Sequence, residues 1–176
     1  SISKKLDQIK IHVKDSEGRV LCEDISSNIN IPEENNSAVD GYAINNNLTD
    51  NNKIKIIGES KPGKPFLKKV KKNQAIRIFT GAYLLSINNL NTVYMEENCT
   101  EKDSYLKFKK KIKTGSNVRP TGEDIKKGTI LFKKGRKLKI PDIAQILSLG
   151  ITKIKVYKKP LVGLFSTGDE IANLYT

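Results

Sequence analysis

At 176 residues, with 37% hydrophobic and 29% charged residues, the chain has the composition of one ordinary globular domain, or of two small lobes that share a core, and not of a disordered segment. No apolar run approaches the roughly 20 residues that span a bilayer, so we expect no membrane segment. The net charge of +13 suggests attraction to phosphates, but only four of the 32 basic residues are Arg, on which base recognition mostly depends, so we expect no specific nucleic-acid binding.

The first part of the chain is predicted to form short β-strands. Ile9, Ile11 and Val13 alternate with polar residues, which is the pattern of a half-buried strand. Further on, short runs of β-branched and aromatic residues recur between stretches rich in Pro, Gly and Asn. The predicted strands cover residues 54–57, 75–79, 92–95 and 105–108, and polar loops cover residues 32–36 and 45–52. Such spacing is typical of a compact β-rich lobe.

The pattern changes beyond this lobe. A turn and a strand are predicted over residues 128–132, and a further strand over residues 154–157. Between them, Pro141 begins a helix predicted over residues 141–149, and Gly150 ends it. The apolar residues of this helix fill more than one narrow stripe, so we expect it to be well buried.

The segment after Pro160 has the pattern of a different domain. Residues 161–165 are a continuous apolar run, typical of a strand buried on both faces of a parallel sheet. A parallel sheet requires crossover helices and neighbouring strands. We therefore expect residues 159–176 to be the start of a truncated α/β domain, and the chain to be a fragment.

The cysteine content indicates a reducing compartment. Cys22 and Cys99 match no metal-binding or redox spacing, so we expect two unpaired thiols, with a structural disulfide as the alternative. The start of the chain leads into no apolar signal segment, which favours a cytoplasmic protein.

Polar residues cluster in four strand-to-loop turns, whereas phosphate-binding glycine loops, zinc-protease motifs and nucleophile elbows are missing from the sequence. In the turn of residues 36–43, the Asp40 carboxylate could bind a hard cation or orient a polar ligand; a plain Asp-Gly turn is the alternative. In the turn of residues 77–82, the Thr80 hydroxyl and the following N–H groups could hold an oxyanion, or Thr80 could simply end its strand.

The other two turns combine charges with Gly. In residues 117–124, Arg119 suits a phosphate, while Glu123 and Asp124 suit a divalent cation; a loop held by its own ion pair is the alternative. Residues 166–170 directly follow the apolar run, at the position where open α/β sheets bind ligands. A helix following them would add N–H donors for an anion.

Taken together, these turns resemble one family. Residues 36–43, 77–82, 118–125 and 165–171 are similar to successive blocks of the molybdopterin molybdenumtransferases of the MoeA/gephyrin type. Residues 93–97 and 147–151 lie between these blocks, as they do in that family. The resemblance covers the chain from about Glu17 onward, and its strength lies in the order and the spacing of the blocks.

The resemblance implies a fold that is mostly β with some α: an elongated pair of β-rich lobes, one inserted in the other, ending at the first strand of a truncated α/β domain. On this basis, residues 1–158 correspond to the family's N-terminal region and residues 159–176 to the start of the molybdopterin-binding domain. The inserted lobe is expected over residues 31–113. The second lobe is expected to combine residues 1–30 and 114–158, including the helix at 141–149.

The resemblance also implies a reaction, in which molybdenum from molybdate enters adenylylated molybdopterin and AMP is released, assisted by Mg²⁺. It further implies a homodimer, with a molybdopterin adenylyltransferase as the upstream partner. Because most of the pterin pocket is missing, we expect the chain alone to be inactive. The residues that match functional positions are Asp40, Thr80, Asp124 and Glu170 for catalysis, Arg119, Ser166, Thr167 and Gly168 for substrate binding, and Asp169 and Glu170 for the metal.

Two other interpretations remain open from the sequence. A chain of this fold could serve as a non-catalytic interaction or scaffold module, since gephyrin-like members also bind protein partners. Alternatively, the charge alone could indicate a basic nucleic-acid-binding β-domain, although the acidic turns give a DNA-binding protein no evident advantage.

Overall fold

The fold is mostly β with one α-helix, as predicted. The computed structural model describes residues 6–49 and 53–168, and the structural statements below refer to these residues. The strands are β1 (Gln8–His12), β2 (Ile25–Ser26), β3 (Asn36–Ser37), β4 (Gly41–Ile44), β5 (Ile54–Ser60), β6 (Gln74–Ile78), β7 (Thr92–Met95), β8 (Cys99–Lys102), β9 (Tyr105–Phe108), β10 (Val118–Arg119), β11 (Ile130–Phe132) and β12 (Lys153–Tyr157). The α-helix is α1 (Ile140–Ser148), and short 3₁₀ turns cover Val13–Asp15, Asn46–Leu48, Ser86–Asn88 and Glu96–Asn98.

The chain divides into two compact units, with boundaries after Ile25 and after Thr129. The family resemblance predicts an inserted lobe with boundaries at residues 31 and 113. The inserted unit is larger because the loop 114–129 bonds to the start of that unit. Val118 on β10 pairs with Ser37 on β3, and Gly122 donates a backbone hydrogen bond of 2.9 Å to Pro32.

The inserted unit, residues 26–129, is built on a six-stranded mixed sheet in the order β7-β4-β6-β5-β9-β8. Only the β5–β6 pair is parallel among the described strands of this sheet. Alternate side chains pack on its two faces. Tyr42 and Ile44 belong to one apolar cluster and Ala43 to the other. The sheet is curled, since Tyr94 on the edge strand β7 stacks on Phe108 of β9 with ring centroids 3.7 Å apart.

Strand β4 was not predicted, because the sequence analysis treated residues 36–43 as a turn. All four of its residues are buried, and it lies between β6 and β7. Its apolar run is short and begins with Gly41, and local propensity disfavours Gly in strands. Pairing with neighbours on both sides outweighs that preference, which a local pattern does not reveal.

The other unit, described over residues 6–25 and 130–168, pairs β1 with β12 in antiparallel register, with Gln8 opposite Tyr157. Its core is formed by Val13, Leu21, Ile25, Phe132, Leu138, Ile146, Ile154 and Val156. The predicted helix is confirmed, with bounds shifted by one residue. The expectation that it is well buried was wrong: Ile146 lies in the core, but Leu147 is 43% exposed, so α1 buries one face only.

A buried carboxylate at the start of α1 supports a stability prediction. Asp142 accepts hydrogen bonds from the Lys139 N–H at 3.0 Å and from two nitrogens of Arg136 at 2.8 and 3.0 Å. The hydrogen bonds from Arg136 are the main reason that the pKa of Asp142 lies below its ordinary value of 3.8. Because the pKa of Asp142 is lower in the folded state, the ionised carboxylate contributes its full stabilisation to the folded state above pH 3.8. This stabilisation is lost as the pH falls through the lowered pKa.

We therefore expect Asp142→Ala to lower the free energy of unfolding at pH 7 by about 2 kcal/mol, the scale of a lost helix cap with charge-assisted bonds. Urea unfolding should give this difference at pH 7 and a smaller one near pH 3. Asp142→Asn, which retains an acceptor for Lys139, should lose less. Equal losses in both variants at both pH values would contradict the electrostatic part of this prediction.

The apolar run at residues 161–165 forms no strand in the structure. Leu161, Leu164 and Phe165 are more than 90% exposed, and no described strand pairs with the run. The predicted strand is therefore not formed in this structure, and the assignment of residues 159–176 to an α/β domain stays a prediction. Both cysteines are free thiols, as expected. None of the described helices is long and apolar enough to cross a membrane.

Candidate functional site

The ends of three strands meet on one side of the inserted unit. Because β4 is antiparallel to both β6 and β7, its first residue, Gly41, lies opposite Ile78 at the end of β6 and Met95 at the end of β7. Asp40, just before β4, therefore lies beside Thr80, two residues after β6. Its Oδ1 accepts a hydrogen bond from the Thr80 N–H at 2.7 Å and another from the Thr80 hydroxyl at 2.8 Å.

The Asp40 carboxylate is exposed and ionised. The hydrogen bond from the Thr80 backbone N–H is the main reason that the pKa of Asp40 lies below its ordinary value of 3.8. The Thr80 hydroxyl and the positive charge of Arg77 lower this pKa further. Desolvation acts against this shift but does not outweigh it. Asp40 is consequently negative at neutral pH.

This geometry corrects the interpretation of the Thr80 turn as an oxyanion cradle. Both Thr80 donors bond to Asp40, the Gly81 N–H donates to the Ser37 carbonyl at 2.8 Å, and the Ala82 N–H donates to the Phe79 carbonyl at 2.8 Å. These donors are therefore all engaged, three of them with Asp40 or Ser37 and one with Phe79. Thr80 instead fixes the orientation of Asp40.

A close backbone approach fixes the start of β4. A Cβ atom added to Gly41 would lie 1.9 Å from the carbonyl oxygen of Tyr94, far inside van der Waals contact. Only Gly allows the backbones of β4 and β7 to come this close, which is a recurrent use of Gly in strands. The position of Asp40 thus depends on the absence of a side chain at Gly41, the next residue in the sequence.

The third predicted turn is held by its own ion pairs. Arg119 donates from Nη2 to both carboxylate oxygens of Asp124 at 2.7 Å and from Nε to Glu123 at 2.8 Å. The bond to Asp124, followed by that to Glu123, raises the pKa of Arg119 above its ordinary value. The loop is therefore held by its own ion pairs in the structure, and a ligand of Arg119 or Asp124 would have to displace the other.

Strand β3 links the Asp40 turn to the Arg119 turn within the inserted unit. Asn36 lies opposite Arg119 on β10 and also bridges to Tyr83, three residues after Thr80. The side-chain oxygen of Asn36 is buried and has no hydrogen-bond partner among the described residues. The two turns are therefore joined by one short strand, with an unsatisfied acceptor between them.

The fourth predicted turn belongs to the other unit. Ser166, Thr167 and Gly168 are exposed and irregular in structure, whereas Asp169 and Glu170, the predicted metal ligands, lie outside the described residues. Within residues 6–49 and 53–168, no group of three or more His, Cys, Asp or Glu side chains is placed to hold a metal ion.

Two residues beside Asp40 were missed by the sequence analysis. Arg77 on β6 donates from one nitrogen to both carboxylate oxygens of Glu96, at 3.0 and 3.2 Å. The Glu96 N–H in turn donates to the Asp40 carbonyl at 3.3 Å. Both residues lie within recognised blocks, but the local pattern gave no sign of their contact, because it requires the unpredicted strand β4 between them.

The basic surface offers no platform for stacking bases in its lysine-rich run at residues 107–111. Phe108, the aromatic residue in that run, is stacked on the buried Tyr94. We therefore expect weak DNA binding that is independent of sequence and falls steeply with salt, because single-stranded binding depends on exposed aromatic rings as well as charge. Fluorescence anisotropy with several oligonucleotides at 50 and 200 mM salt tests this; nanomolar preference for one sequence at the higher salt would contradict it.

The known proteins that are similar to this chain are named for molybdopterin biosynthesis or for molybdenum transfer to molybdopterin. The family model of the MoeA N-terminal region (domain I and II) matches residues 2–150. A molybdopterin molybdenumtransferase of Haemophilus influenzae is 34% identical over 181 residues, which cover 98% of this chain and 44% of that protein. A putative molybdopterin biosynthesis protein of Methanocaldococcus jannaschii is 35% identical over 182 residues, covering 98% of this chain and 43% of that protein.

The same similarity extends to solved structures. The crystal structure of a molybdopterin biosynthesis MoeA protein from Pyrococcus horikoshii superposes with a TM-score of 0.82 at 31% identity, covering 90% of this chain and 42% of that one. The chain thus spans less than half the length of these relatives.

Proposed function

Because the chain belongs to the family of the MoeA N-terminal region, we propose that the full-length protein is a molybdopterin molybdenumtransferase in molybdenum cofactor biosynthesis. Its substrates are molybdate and adenylylated molybdopterin, and its products are the molybdenum cofactor and AMP. The proposal is supported by the family match over residues 2–150 and by relatives such as the Haemophilus influenzae molybdopterin molybdenumtransferase.

The observation that carries the proposal is the contact between Asp40 and Thr80. It brings two of the recognised sequence blocks together on an exposed, ionised carboxylate. A fixed anion would repel molybdate, which is itself negative, so direct binding of molybdate by Asp40 is disfavoured. We assign Asp40 the role of accepting a hydrogen bond or a proton from a bound substrate.

Among the described residues, no group of three or more His, Cys, Asp or Glu side chains is placed to hold the Mg²⁺ ion that the family resemblance implies, and both oxygens of Asp124 are bound to Arg119. The predicted ligands Asp169 and Glu170 lie outside the described residues.

The family resemblance also supports a homodimer as the functional unit and a molybdopterin adenylyltransferase as the source of the adenylylated substrate. If the full-length protein is instead a non-catalytic scaffold of the same fold, it should form no cofactor. The assay below therefore separates the two functions.

The test is reconstitution with the purified full-length protein. Adenylylated molybdopterin, molybdate and Mg²⁺ are supplied, AMP release is followed by chromatography, and the product is detected by activation of a molybdenum-dependent enzyme that lacks its cofactor. Catalytic turnover that requires molybdate is expected. Binding of the pterin without AMP release or cofactor formation would contradict the proposed activity and favour the scaffold.

A further inference from the structure

A network of charges surrounds Asp40 on one face of the curled sheet, and its central cation is Arg77. Arg77 lies opposite Tyr42 on β4 and opposite Glu59 on β5. Its guanidinium binds Glu96 and lies 5.5 Å from the ring centroid of Phe79. These contacts hold a long side chain in one place, although its side chain remains 40% exposed.

Arg77 is connected to Asp40 in two ways. Its positive charge lowers the pKa of Asp40, although less than the two hydrogen bonds from Thr80 do. Its partner Glu96 donates a backbone hydrogen bond of 3.3 Å to the Asp40 carbonyl. The Asp40 carboxylate itself accepts both hydrogen bonds from Thr80.

We propose that Arg77, held by Glu96, is a positioning residue for Asp40 in the reaction proposed above. By holding Glu96, whose N–H donates to the Asp40 carbonyl, Arg77 keeps the main chain at Asp40 in the position from which the carboxylate reaches Thr80. The inference rests on the proposed function for its catalytic consequence, but its structural consequence stands independently.

The remaining charges near this pair allow a matched control. Lys61 lies 5.4 Å from the same Phe79 ring and forms an ion pair of 2.7 Å with Glu59. It resembles Arg77 in charge, exposure and aromatic contact, but it is not among the groups that act on Asp40. The titratable and charged groups that face Arg77 and Asp40 are Tyr42 from β4, Glu59 and Lys61 from β5 and the loop after it, Glu96 after β7, and Glu101 from β8.

The test uses the Thr80 amide as a reporter, because its N–H donates directly to Asp40. In ¹⁵N-labelled chains, Arg77→Gln and Glu96→Gln should each shift the Thr80 amide resonance, and the Asp40 carboxyl should titrate at a higher pH in Arg77→Gln. Lys61→Gln should leave both unchanged. Arg77→Lys should restore the titration at least in part, since Lys retains the positive charge.

Activity gives a second readout in the full-length protein. Arg77→Gln should lower kcat about tenfold with little change in KM, as expected when a catalytic group is displaced. The double variant with Glu96→Gln should lose no more than either single variant, because the two residues act as one unit.

The two readouts separate the possible failures. An unchanged Thr80 resonance and an unchanged Asp40 titration in both Arg77→Gln and Glu96→Gln would overturn the inference, whatever the activity. If both change but the wild-type protein forms no cofactor, the proposed function fails and the positioning role of Arg77 stands.

Discussion

Asp40→Ala should lower the rate of cofactor formation by the full-length protein about 100-fold or more, while the melting temperature stays within about 2 °C of wild type. The carboxylate is exposed, so the Thr80 donors it releases can bond to water, and surface changes of this kind usually alter stability by less than about 0.5 kcal/mol. The same carboxylate is proposed to accept a hydrogen bond or a proton from substrate, and such groups contribute on the order of 10²–10⁴ in rate. Cofactor assays beside melting curves measure both effects.

Matched variants identify what is lost at this position. Asp40→Asn preserves size and an acceptor for Thr80 but removes the charge, so activity close to that of Asp40→Ala would show that the charge matters. Asp15→Ala removes an exposed Asp from the other unit and should leave activity unchanged. Activity of Asp40→Ala within a few-fold of wild type would mean that Asp40 has only a structural role in the turn before β4.

The local sequence pattern predicted the β-rich class and several element positions well. Residues 54–57, 92–95 and 105–108 lie in β5, β7 and β9, and the helix predicted at 141–149 is α1. These elements follow from alternation, from turn residues and from Pro and Gly at the helix ends, all of which are local properties. What the local pattern lacked was register: it did not pair residues 40 and 80, which are brought together by β4.

The candidate site was found mainly through the family resemblance. Local chemistry alone favours a plain Asp-Gly turn over a ligand site at Asp40. It also favours a simple strand end at Thr80 over an anion cradle, and the engaged donors of that turn provide no cradle. The ion pair of Arg77 with Glu96 could not be predicted either, because it depends on β4 lying between β6, which carries Arg77, and β7, which ends just before Glu96. Contacts between strand ends depend on which strands are neighbours, and short strands do not encode that choice locally.

The fold and the candidate site both require that Gly41, at the start of β4, has no Cβ atom. The Tyr94 carbonyl occupies the space that a Cβ on Gly41 would need, and the obstacle is backbone in the middle of a sheet rather than the end of a mobile side chain. Relief would require β4 and β7 to separate. That separation would break the ladder that carries buried Tyr42 and Ala43 and would move the adjacent Asp40 away from Thr80.

Gly41→Ala should therefore lower the free energy of unfolding by about 3 kcal/mol or more, at the upper end of the range for overpacked sites. Gly58→Ala is the matched control, because Gly58 lies on β5 of the same sheet and its added Cβ would meet the ring of Phe66, a side chain that can move. The loss of unfolding free energy in Gly58→Ala should be clearly smaller than in Gly41→Ala. Urea unfolding of both variants measures the difference, and in any Gly41→Ala protein that remains folded the Thr80 amide should show loss of its bond to Asp40. If Gly41→Ala is no less stable than Gly58→Ala, the close approach of β4 to β7 is not a constraint in this protein, and the position of Asp40 does not depend on it.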